Sequence, residues 1–488
     1  GVRWDAYYYS AGIAAAFERL HGYSLRESLY LLDAPGHTPA HIKVRLDYYH
    51  TLNEGIFQAQ AQLVAKARAL FGQDILLGTH HTWVGEGDIA DYRAGAVDYF
   101  RLNQNMDAGY TDNCWWDDAS VCYTLVLAAS LGRLTPSGSA ECNNYHWKPT
   151  HALIDYYARL MTLMRVNWFN CWYGEDGDTV LYPAHYTWDH TNVCTRRHRR
   201  FLTLLGDAVP VADIAIWHSW EGVCGLNTAE YAGAHKAFII NTAEALVHRS
   251  IAFDYLDSDG LATARIENGR LHTSLGNYRV LIMPYAAVLP RAVWQVSQAF
   301  AAQGGTVIFV GPPPAVTVEG DGVGAEFAAL LAMPELPLQQ YLAYVDAVCT
   351  LPQHRPAHLD IAYPLDVPAE RAFVSSEGVV HGVRNAAGSL IYFSALEASR
   401  VLPDLLDSLA PSSVTVYSDS MLWRLYREGD VQKLLLIATR NRRMRGLVRF
   451  AGYAIEISDG TLALLTLTDE GLTVDSEDCR YTITASAQ

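Results

Sequence analysis

The first 205 residues alternate between helical periodicity and short apolar runs. Apolar side chains recur at three- and four-residue spacing over 13–32 and 42–71, which predicts two helices. Short buried strands are predicted at 74–77, at 106–110, just before Glu141 and at 166–173, with further helices between them. Strands that alternate with helices in this way predict parallel β/α units. About four such units are present, half the number that closes a (β/α)8 barrel.

The pattern changes near residue 209, where short and fully apolar strands follow one another with helices between them. Strands are predicted at 211–217, 251–256, 279–283, 305–310 and 388–393. Helices are predicted at 292–302 and 396–410. This arrangement is typical of a doubly wound, flavodoxin-like open sheet.

Beyond about residue 413, apolar and polar residues alternate in short runs that are separated by turn residues. Strands are predicted at 414–417, 434–437, 447–450, 453–457 and 462–467, and a small β-sandwich fits their spacing. The sequence therefore predicts an α/β protein of three domains. They are a (β/α) barrel over 1–208, of which only the C-terminal half is present, an open sheet over 209–412 and a β-sandwich over 413–488.

Composition and charge exclude several classes of protein. Half of the residues are hydrophobic and 18% are charged, which is typical of a globular protein and not of a disordered or fibrous one. The net charge of −16 argues against a nucleic-acid partner, because phosphate binding depends on Lys and Arg. We interpret the dense basic run from Arg196 to Arg200 as a solvated helix face. No apolar run is long enough for a membrane span, so no membrane partner is predicted.

Cysteine usage and the first residues bear on the compartment. The eight cysteines include no C-x-x-C pair, so neither a zinc knuckle nor a disulfide framework is predicted, and reduced thiols are expected. The sequence starts at Gly1 without a secretory signal pattern. These features favour the cytoplasm, and the missing initiator Met leads us to expect a leader or an upstream region before Gly1.

Tryptophan is concentrated in the first part of the chain. Of the 12 Trp residues, ten lie within residues 1–220, and most of these fall in the predicted strand-end loops. Flat aromatic faces suit the stacking of pyranose rings, whereas the alternative is that these side chains only fill the rim of a barrel. The residues expected to contact a sugar are His81, Trp83, Trp116, Asp117, Asn143, Asn144, Trp147, Trp172 and Tyr173.

Glu141 is the first candidate for catalysis. Glycoside cleavage needs one carboxyl that protonates the leaving oxygen and a second that attacks the sugar or activates water. Glu141 leaves a predicted strand and is followed by Asn143, Asn144 and Trp147, which are able to hold hydroxyl groups. The alternative is a surface Glu in the loop after Gly138.

Glu86 is the candidate for the second carboxyl. It lies just beyond a predicted strand, and the nearby Trp83 would raise its pKa by desolvation. The alternative is an acid that stabilises the start of the following helix through the helix dipole.

No metal site or cofactor is predicted as the leading interpretation. Acidic loops at 112–118 and 175–178 offer hard oxygens that would suit Ca²⁺, with ordinary solvated turns as the alternative. The pairs His80-His81 and His37/His41 lack the H-E-x-x-H context that would make a zinc site specific.

The order of these parts resembles that of the family 42 β-galactosidases. In the open sheet, Val280–Tyr285 and Gln303–Gly311 look like the corresponding strands of a class I glutamine-amidotransferase-like domain. Finer details resemble the α-L-rhamnosidases of family 106. The segments that carry this second resemblance are Phe17–Leu25, Arg45–Leu52, His81–Gly87 and Met106–Asp112.

The resemblance assigns roles by position. It makes Glu141 the carboxylate at the end of the seventh barrel strand, acting as nucleophile or base. The partner acid of such barrels ends strand four, which would lie at or before Gly1, so that Glu86 or Asp5 would be a substitute. It also implies a small carbohydrate substrate and a homo-oligomer formed through the amidotransferase-like domain.

The open sheet also raises amidase chemistry as an alternative. That chemistry needs a thiolate at a sharp strand-to-helix elbow, but the turn after Val310 reads Gly311-Pro312-Pro313-Pro314. We therefore expect a structural or oligomerising role for this domain. The predicted function is removal of a terminal sugar, of the rhamnoside or galactoside class, from a plant-type or bacterial glycoside. The alternative is a non-catalytic carbohydrate-binding or assembly protein derived from such an enzyme.

Overall fold

The structure is a computed structural model of the 488-residue chain. It describes residues 8–34, 36–78, 97–113, 118–146, 150–173, 186–226, 240–349, 363–374, 379–395 and 401–485. The chain divides into two compact units. The first comprises Gly1–Asp107, Ile214–Thr242 and Asp254–Leu402, and the second comprises Ala108–Asp213, Ala243–Phe253 and Pro403–Gln488. The three-domain division made from the sequence stays a prediction.

Helices open the first unit. The single helix predicted over 13–32 is wrong, because Gly22 adopts φ +77° and its N–H donates to the carbonyl of Glu18 at 2.8 Å, which ends the first helix. The long helix predicted over 42–71 is confirmed and starts three residues earlier, with Pro39 in its first turn. The bounds are Ala11–His21 (α1), Leu25–Ser28 (α2), Tyr30–Asp33 (α3), Pro39–Phe71 (α4) and Tyr99–Asn103 (α5).

Two of the rhamnosidase-like segments meet between α1 and α4. The Asp47 carboxylate accepts a hydrogen bond from Tyr23 Oη at 2.7 Å, pairs with Lys43 Nζ at 2.7 Å and lies 3.3 Å from His21 Nδ1. The other ring nitrogen of His21 lies 3.1 Å from Thr51 Oγ1. These residues therefore hold two helices together, which explains the motif without a role in chemistry.

We expect Asp47→Asn to lower the free energy of unfolding by about 2 kcal/mol, because a part-buried charged acceptor with three partners is replaced by a neutral one. Urea denaturation would measure the change. Asp74→Asn, at an exposed acid, is the control and should leave stability within about 0.5 kcal/mol. An equal loss in both variants would contradict a structural role for Asp47.

A seven-stranded sheet forms the core of the predicted open α/β domain. Its strands are Ile214–Trp217 (β5), Phe253–Leu256 (β6), Val280–Pro284 (β10), Thr306–Val310 (β12), Ala372–Val374 (β14), Val380–Arg384 (β15) and Leu390–Phe393 (β16). Their order is β14-β15-β16-β12-β10-β5-β6, in which β5, β10, β12 and β16 run parallel and β14 and β15 are antiparallel. The five strands predicted from apolar runs are confirmed, because a strand covered on both faces is apolar at every position.

The remaining elements of this part are short or cover the sheet. The helices are Trp220–Gly225 (α9), 240–248 (α10), Ser258–Ala262 (α11), Arg291–Ala302 (α12), Gly324–Leu331 (α13), Leu338–Cys349 (α14) and Leu402–Leu409 (α15), with a 3₁₀ turn at Ala369–Arg371. The small strands are Arg265–Glu267 (β7), Arg270–His272 (β8), Asn277–Tyr278 (β9), Val288–Leu289 (β11) and Val316–Thr317 (β13).

The second unit begins with β/α elements. Their bounds are Ala108–Asn113 (β1), Asp118–Arg133 (α6), Ser139–His146 (β2), His151–Met164 (α7), Trp168–Tyr173 (β3) and Tyr186–Leu205 (α8). The three strands form a sheet of order β1-β2-β3, and both pairs of neighbours are parallel. Parallel β/α units are confirmed here, whereas closure into a barrel stays a prediction.

The strand predicted at 74–77 is not formed within residues 72–78. Instead, Asp107 holds this segment at one point: its carboxylate accepts from Leu77 N at 2.8 Å, and its own N–H donates to the Leu77 carbonyl at 2.9 Å. Arg68 pairs with the same carboxylate at 2.6 Å. A side-chain contact of this kind fixes the chain without a ladder of backbone hydrogen bonds, so the apolar run is not a strand there.

The C-terminal part of the chain forms two β-sheets, and its assignment as a β-sandwich domain over 413–488 stays a prediction. Its strands are Val209–Pro210 (β4), Thr415–Tyr417 (β17), Met421–Glu428 (β18), Val431–Ala438 (β19), Gly446–Phe450 (β20), Tyr453–Asp459 (β21), Leu462–Thr468 (β22), Gly471–Ser476 (β23) and Arg480–Ala485 (β24). They form two sheets of order β17-β20-β21-β24 and β23-β22-β19-β18-β4. Side chains such as Leu436, Val448 and Leu465 fill the space between the sheets. The pairing of β4 with β18 joins residues 209–210 to the sandwich, which apolar patterning alone did not indicate.

The basic run on α8 is only partly solvated. Arg197 bonds to Asp155 and, at 2.7 Å, to Glu477, and Arg200 lies 3.6 Å from Glu477. His198 is buried, with Nδ1 2.8 Å from Thr162 Oγ1, and burial lowers its pKa to about 4. The interpretation as a solvated face is therefore wrong for Arg197, which pairs with acids distant in the sequence, and for the buried His198. It is confirmed for Arg196, Arg199 and Arg200, which are exposed.

Candidate functional site

The carboxyl ends of the three parallel strands of the second unit lie at one edge of their sheet. The strands end at Asn113, His146 and Tyr173, and the backbone of Tyr173 is in register with that of His146. In parallel β/α units this is the edge at which ligands bind. Four of the residues predicted to contact sugar lie in these strand ends, namely Asn143, Asn144, Trp172 and Tyr173.

Glu141 lies deeper in the sheet than the sequence predicted. It is the third residue of β2, in register with Tyr110 of β1 and Trp168 of β3, and its side chain is half-buried. Five further residues lead to the end of the strand, which is a distance of roughly 16 Å at the usual rise per residue. The expectation that Glu141 leaves a strand is therefore wrong, and its catalytic role stays a prediction.

The strand continues beyond Glu141 because both of its neighbours pair with it. Asn143 and Asn144 have low strand propensity, which made this segment read as a loop. In the structure Asn143 pairs with both β1 and β3, as does Asn144. Hydrogen bonding on both edges outweighs local propensity here.

Helix α6 fixes the face on which Glu141 lies. Gly109 and Gly132 allow a close approach, since a Cβ on Gly109 would come within 2.3 Å of the Gly132 nitrogen. Thr111 Oγ1 donates to the Thr124 carbonyl at 3.0 Å, and Cys142 Sγ lies 4.0 Å from Thr124 Oγ1. Because Cys142 faces α6, the alternation of the strand places the side chain of Glu141 on the opposite face of the sheet.

Several predicted site residues lie outside the described residues. These are Glu86, Asp5, His81, Trp83, Trp116, Asp117 and Trp147. The pairing of Glu141 with a second carboxyl is therefore still a prediction.

The structure brings together an acidic cluster that the sequence did not single out. It lies in the first unit, where His218 and Glu221 follow β5 and Asp257 follows β6. Asp98 starts α5: its carboxylate accepts from Arg101 N at 3.1 Å, and its N–H donates to Asn53 Oδ1 at 2.8 Å. The feature of the sequence that could have identified this cluster is that acidic residues follow shortly after apolar strands.

Burial dominates the electrostatics of this cluster. Burial, with repulsion from Asp98 and Asp257, raises the pKa of Glu221 to about 7, although Ser258 bonds to its carboxylate. Burial likewise raises the pKa of Asp98 to about 6, and repulsion from Asp257 adds to this. Burial lowers the pKa of His218 to about 4. At neutral pH this region therefore holds carboxyls that are partly protonated beside a neutral imidazole.

Neither a metal site nor a membrane-spanning helix is present within the described residues. Among the described residues, no three His, Cys, Asp or Glu side chains converge in a way that would hold a metal ion. His41 Nδ1 lies 2.7 Å from Thr38 Oγ1 at the start of α4. None of the helices within the described ranges is long and apolar enough to cross a membrane.

The elbow position of the open sheet does not carry a nucleophile. Gly311 follows β12 with φ +88°, and its carbonyl accepts a hydrogen bond from the Tyr392 hydroxyl at 3.0 Å. The prolines after it are buried. Cys224 lies on α9, where burial raises the pKa of its thiol well above the usual value. A buried protonated thiol is a poor nucleophile, which disfavours amidase chemistry at these positions.

Comparison with known proteins gives matches in structure only. No family model matches the sequence, and no curated protein does. The structure is similar to that of the β-galactosidase from Rahnella sp. R3, with 14% identity, a TM-score of 0.58, and coverage of 92% of this chain and 70% of that one. A catalytic mutant of Gan42B, a GH42 β-galactosidase from G. stearothermophilus, is 12% identical, with a TM-score of 0.60 and coverage of 97% of this chain and 75% of that one. The rhamnosidase from Novosphingobium sp. PP1Y is 13% identical, with a TM-score of 0.51 and coverage of 98% of this chain and 44% of that one.

The chain has a fold similar to that of these β-galactosidases and this rhamnosidase. At this identity the likeness shows the fold alone and does not single out one family. Galactosidases and a rhamnosidase are both among the similar structures, as the resemblance drawn from the sequence implied.

Proposed function

We propose that the protein is a glycoside hydrolase that removes a terminal sugar, of the rhamnoside or galactoside class, by carboxylate acid/base catalysis. The observation that carries this proposal is the edge formed by β1, β2 and β3. Positions of amide and aromatic residues, Asn143, Asn144, Trp172 and Tyr173, end two adjacent parallel strands there. Amides suit the binding of sugar hydroxyls and aromatic rings suit the faces of pyranoses. The similarity in fold to β-galactosidases and a rhamnosidase is consistent with this use of the edge.

In this proposal Glu141 is the catalytic carboxylate on β2, and Glu86 is the candidate partner acid. The side chain of Glu141 lies on the face opposite α6, together with Tyr110, which is in register with it on β1. A substrate that reaches Glu141 would extend from the strand ends into the interior of the β/α domain.

We expect Glu141→Gln to lower kcat/KM by at least about a thousandfold, because an amide can neither attack nor transfer a proton. A panel of aryl rhamnosides and aryl galactosides would measure release of the phenol. Glu470→Gln, at an exposed acid of the same unit, is the matched control and should keep full activity. Hydrolysis by both variants at the parent rate would remove Glu141 from the mechanism.

The second candidate function is carbohydrate binding without catalysis. The depth of Glu141, five residues before the end of β2, favours it, because the edge itself then lacks this carboxylate. Calorimetric titration with rhamnose- and galactose-containing oligosaccharides separates the two functions. Binding without turnover by the parent protein would support the second.

A further inference from the structure

The C-terminal half of α4 exposes large apolar side chains. Ile56 is 37% exposed, Leu63 66%, Leu70 69% and Phe71 73%. Single exposed apolar residues are common on protein surfaces, but an aligned series marks an interaction site. We call Ile56, Leu63 and Leu70 the α4 stripe.

The α4 stripe occupies one position of a heptad repeat, and the positions three residues further on are Ala59 and Lys66. Its three residues lie seven positions apart, and Ala59 is exposed three positions after Ile56. A seven-residue repeat keeps one side of a helix turned toward a partner helix that has the same repeat. The stripe spans about two heptads, or roughly 21 Å along the axis.

The α4 stripe lies on a different face of the helix from the residues that pack within the first unit. Ile42, Leu46 and Tyr49 are buried along the first half of the helix. In the second half, Arg101 lies over the Phe57 ring at 3.5 Å and pairs with Glu54 at 3.0 Å. These contacts within the described residues are made by positions of α4 outside the stripe, of which Leu63 and Leu70 are the most exposed members.

The charge of this half of the helix is unusual for a solvated surface. Within residues 55–71 only Lys66 and Arg68 are charged, and Arg68 pairs with Asp107 at 2.6 Å. The chain as a whole carries a net charge of −16. Depletion of charge together with exposed Leu and Ile is typical of the centre of a protein interface.

We propose that the α4 stripe is the interface of a homodimer in which α4 packs along the α4 of a second copy. An identical helix supplies the same seven-residue spacing, and the small residues Gly55 and Ala59 allow the backbones to approach. An antiparallel arrangement centred on Leu63 sets Ile56 opposite the partner's Leu70. It also separates the two Lys66 side chains by about six residues, or roughly 9 Å along the axis.

A specific interface buries at least about 1,000 Å² in total, so the paired α4 helices would form the centre of such a dimer interface. This surface differs from the one implied by the family resemblance, which placed an oligomer on the amidotransferase-like domain.

Sedimentation velocity at micromolar concentration tests the proposal. We expect a dimer for the parent protein and a monomer for the double variant Leu63→Glu, Leu70→Glu, with an unchanged circular dichroism spectrum. Leu330→Glu, at an exposed leucine of α13, is the matched control and should stay dimeric. A parent protein that is monomeric, or a dimer that survives the double variant, would overturn the proposal.

Cross-linking gives an independent readout if the double variant does not fold. Leu63→Cys lies on the symmetry axis and should form a disulfide-linked dimer under mild oxidation. Leu76→Cys, which is exposed but lies beyond α4, should not. Equal cross-linking of both variants, or of neither, would contradict pairing through the stripe, as would a complex formed only with a different protein.

Discussion

Replacing Glu221 by Gln should raise the free energy of unfolding at pH 8 by about 2 kcal/mol. Burial, together with repulsion from Asp98 and Asp257, raises the pKa of this carboxyl from 4.5 to about 7 in the folded protein. Above pH 7 the folded state therefore holds a charge that the unfolded chain would accommodate at lower cost. The neutral amide removes that cost. Part of the side chain of Glu221 is open to solvent, which screens its charge and makes the gain smaller than the full pKa difference would give.

The direction of the pH dependence follows from the sign of the change. A carboxyl whose pKa is raised on folding stabilises the protein fully below its unfolded pKa, near 4.5, and that stability is lost as the pH rises through about 7. Asp98 acts in the same direction, from 3.8 to about 6. Between pH 8 and pH 5 the lowered pKa values of His198 and His218 act in the opposite direction, because neutral buried imidazoles lose stability as the unfolded chain takes up protons. The effect of Glu221 is therefore seen in the difference between the two proteins: we expect the Gln variant to be more stable than the parent at pH 8, and this gain to disappear as the pH falls toward 4.5.

Urea denaturation between pH 4.5 and 8.5 would measure both effects. Glu267→Gln, at an exposed acid of the same unit, is the control and should follow the parent curve. A Gln variant that gains nothing at pH 8 would show that Glu221 is solvated as an ordinary carboxylate.

Replacing Gly109 by Ala should destabilise the second unit by about 3 kcal/mol or more. A Cβ at this position would come within 2.3 Å of the Gly132 nitrogen and 2.6 Å of the Leu131 carbonyl carbon. Both are backbone atoms, so α6 as a whole must move away from β1. The same shift would disturb β2, which carries Glu141, so we expect glycosidase activity to fall together with stability.

Thermal unfolding and turnover of an aryl glycoside would measure the two losses. Gly12→Ala is the matched control, because a Cβ there meets only the flexible Ser10 side chain at 3.7 Å and alanine favours the helix. It should unfold at or above the parent temperature. A Gly109→Ala variant as stable as the parent would mean that α6 and β1 are not held at this distance.

Where a segment is covered on both faces, its sequence alone predicted the strand. Val280–Pro284 is buried at every position, and Thr306–Val310 is buried and apolar at the four positions after Thr306. Five of the nine strands of the two C-terminal sheets, β17, β19, β20, β21 and β22, were likewise predicted from the sequence, whereas β4, β18, β23 and β24 were not. In these elements the residue types reflect burial, so the strands can be predicted without knowing which other elements pack against them.

Contacts between distant parts of the sequence were not predictable in this way. The acidic cluster forms only because Asp98 and Glu221, which are 123 residues apart in the sequence (221 − 98), fold beside the strand end that carries Asp257. The α4 stripe could also be identified only from the structure. The periodicity of the sequence predicts a helix with apolar residues but does not show which face of it stays exposed.

Glu141 shows the division most clearly. The sequence alone shows a carboxylate that is followed by amide and aromatic residues, which is the set of groups expected at a sugar-binding site. The tertiary structure decided that it lies inside β2 and not at the end of the strand. The physical reason is that β1 and β3 supply hydrogen bonds on both edges of Asn143 and Asn144, and these outweigh the low strand propensity of asparagine.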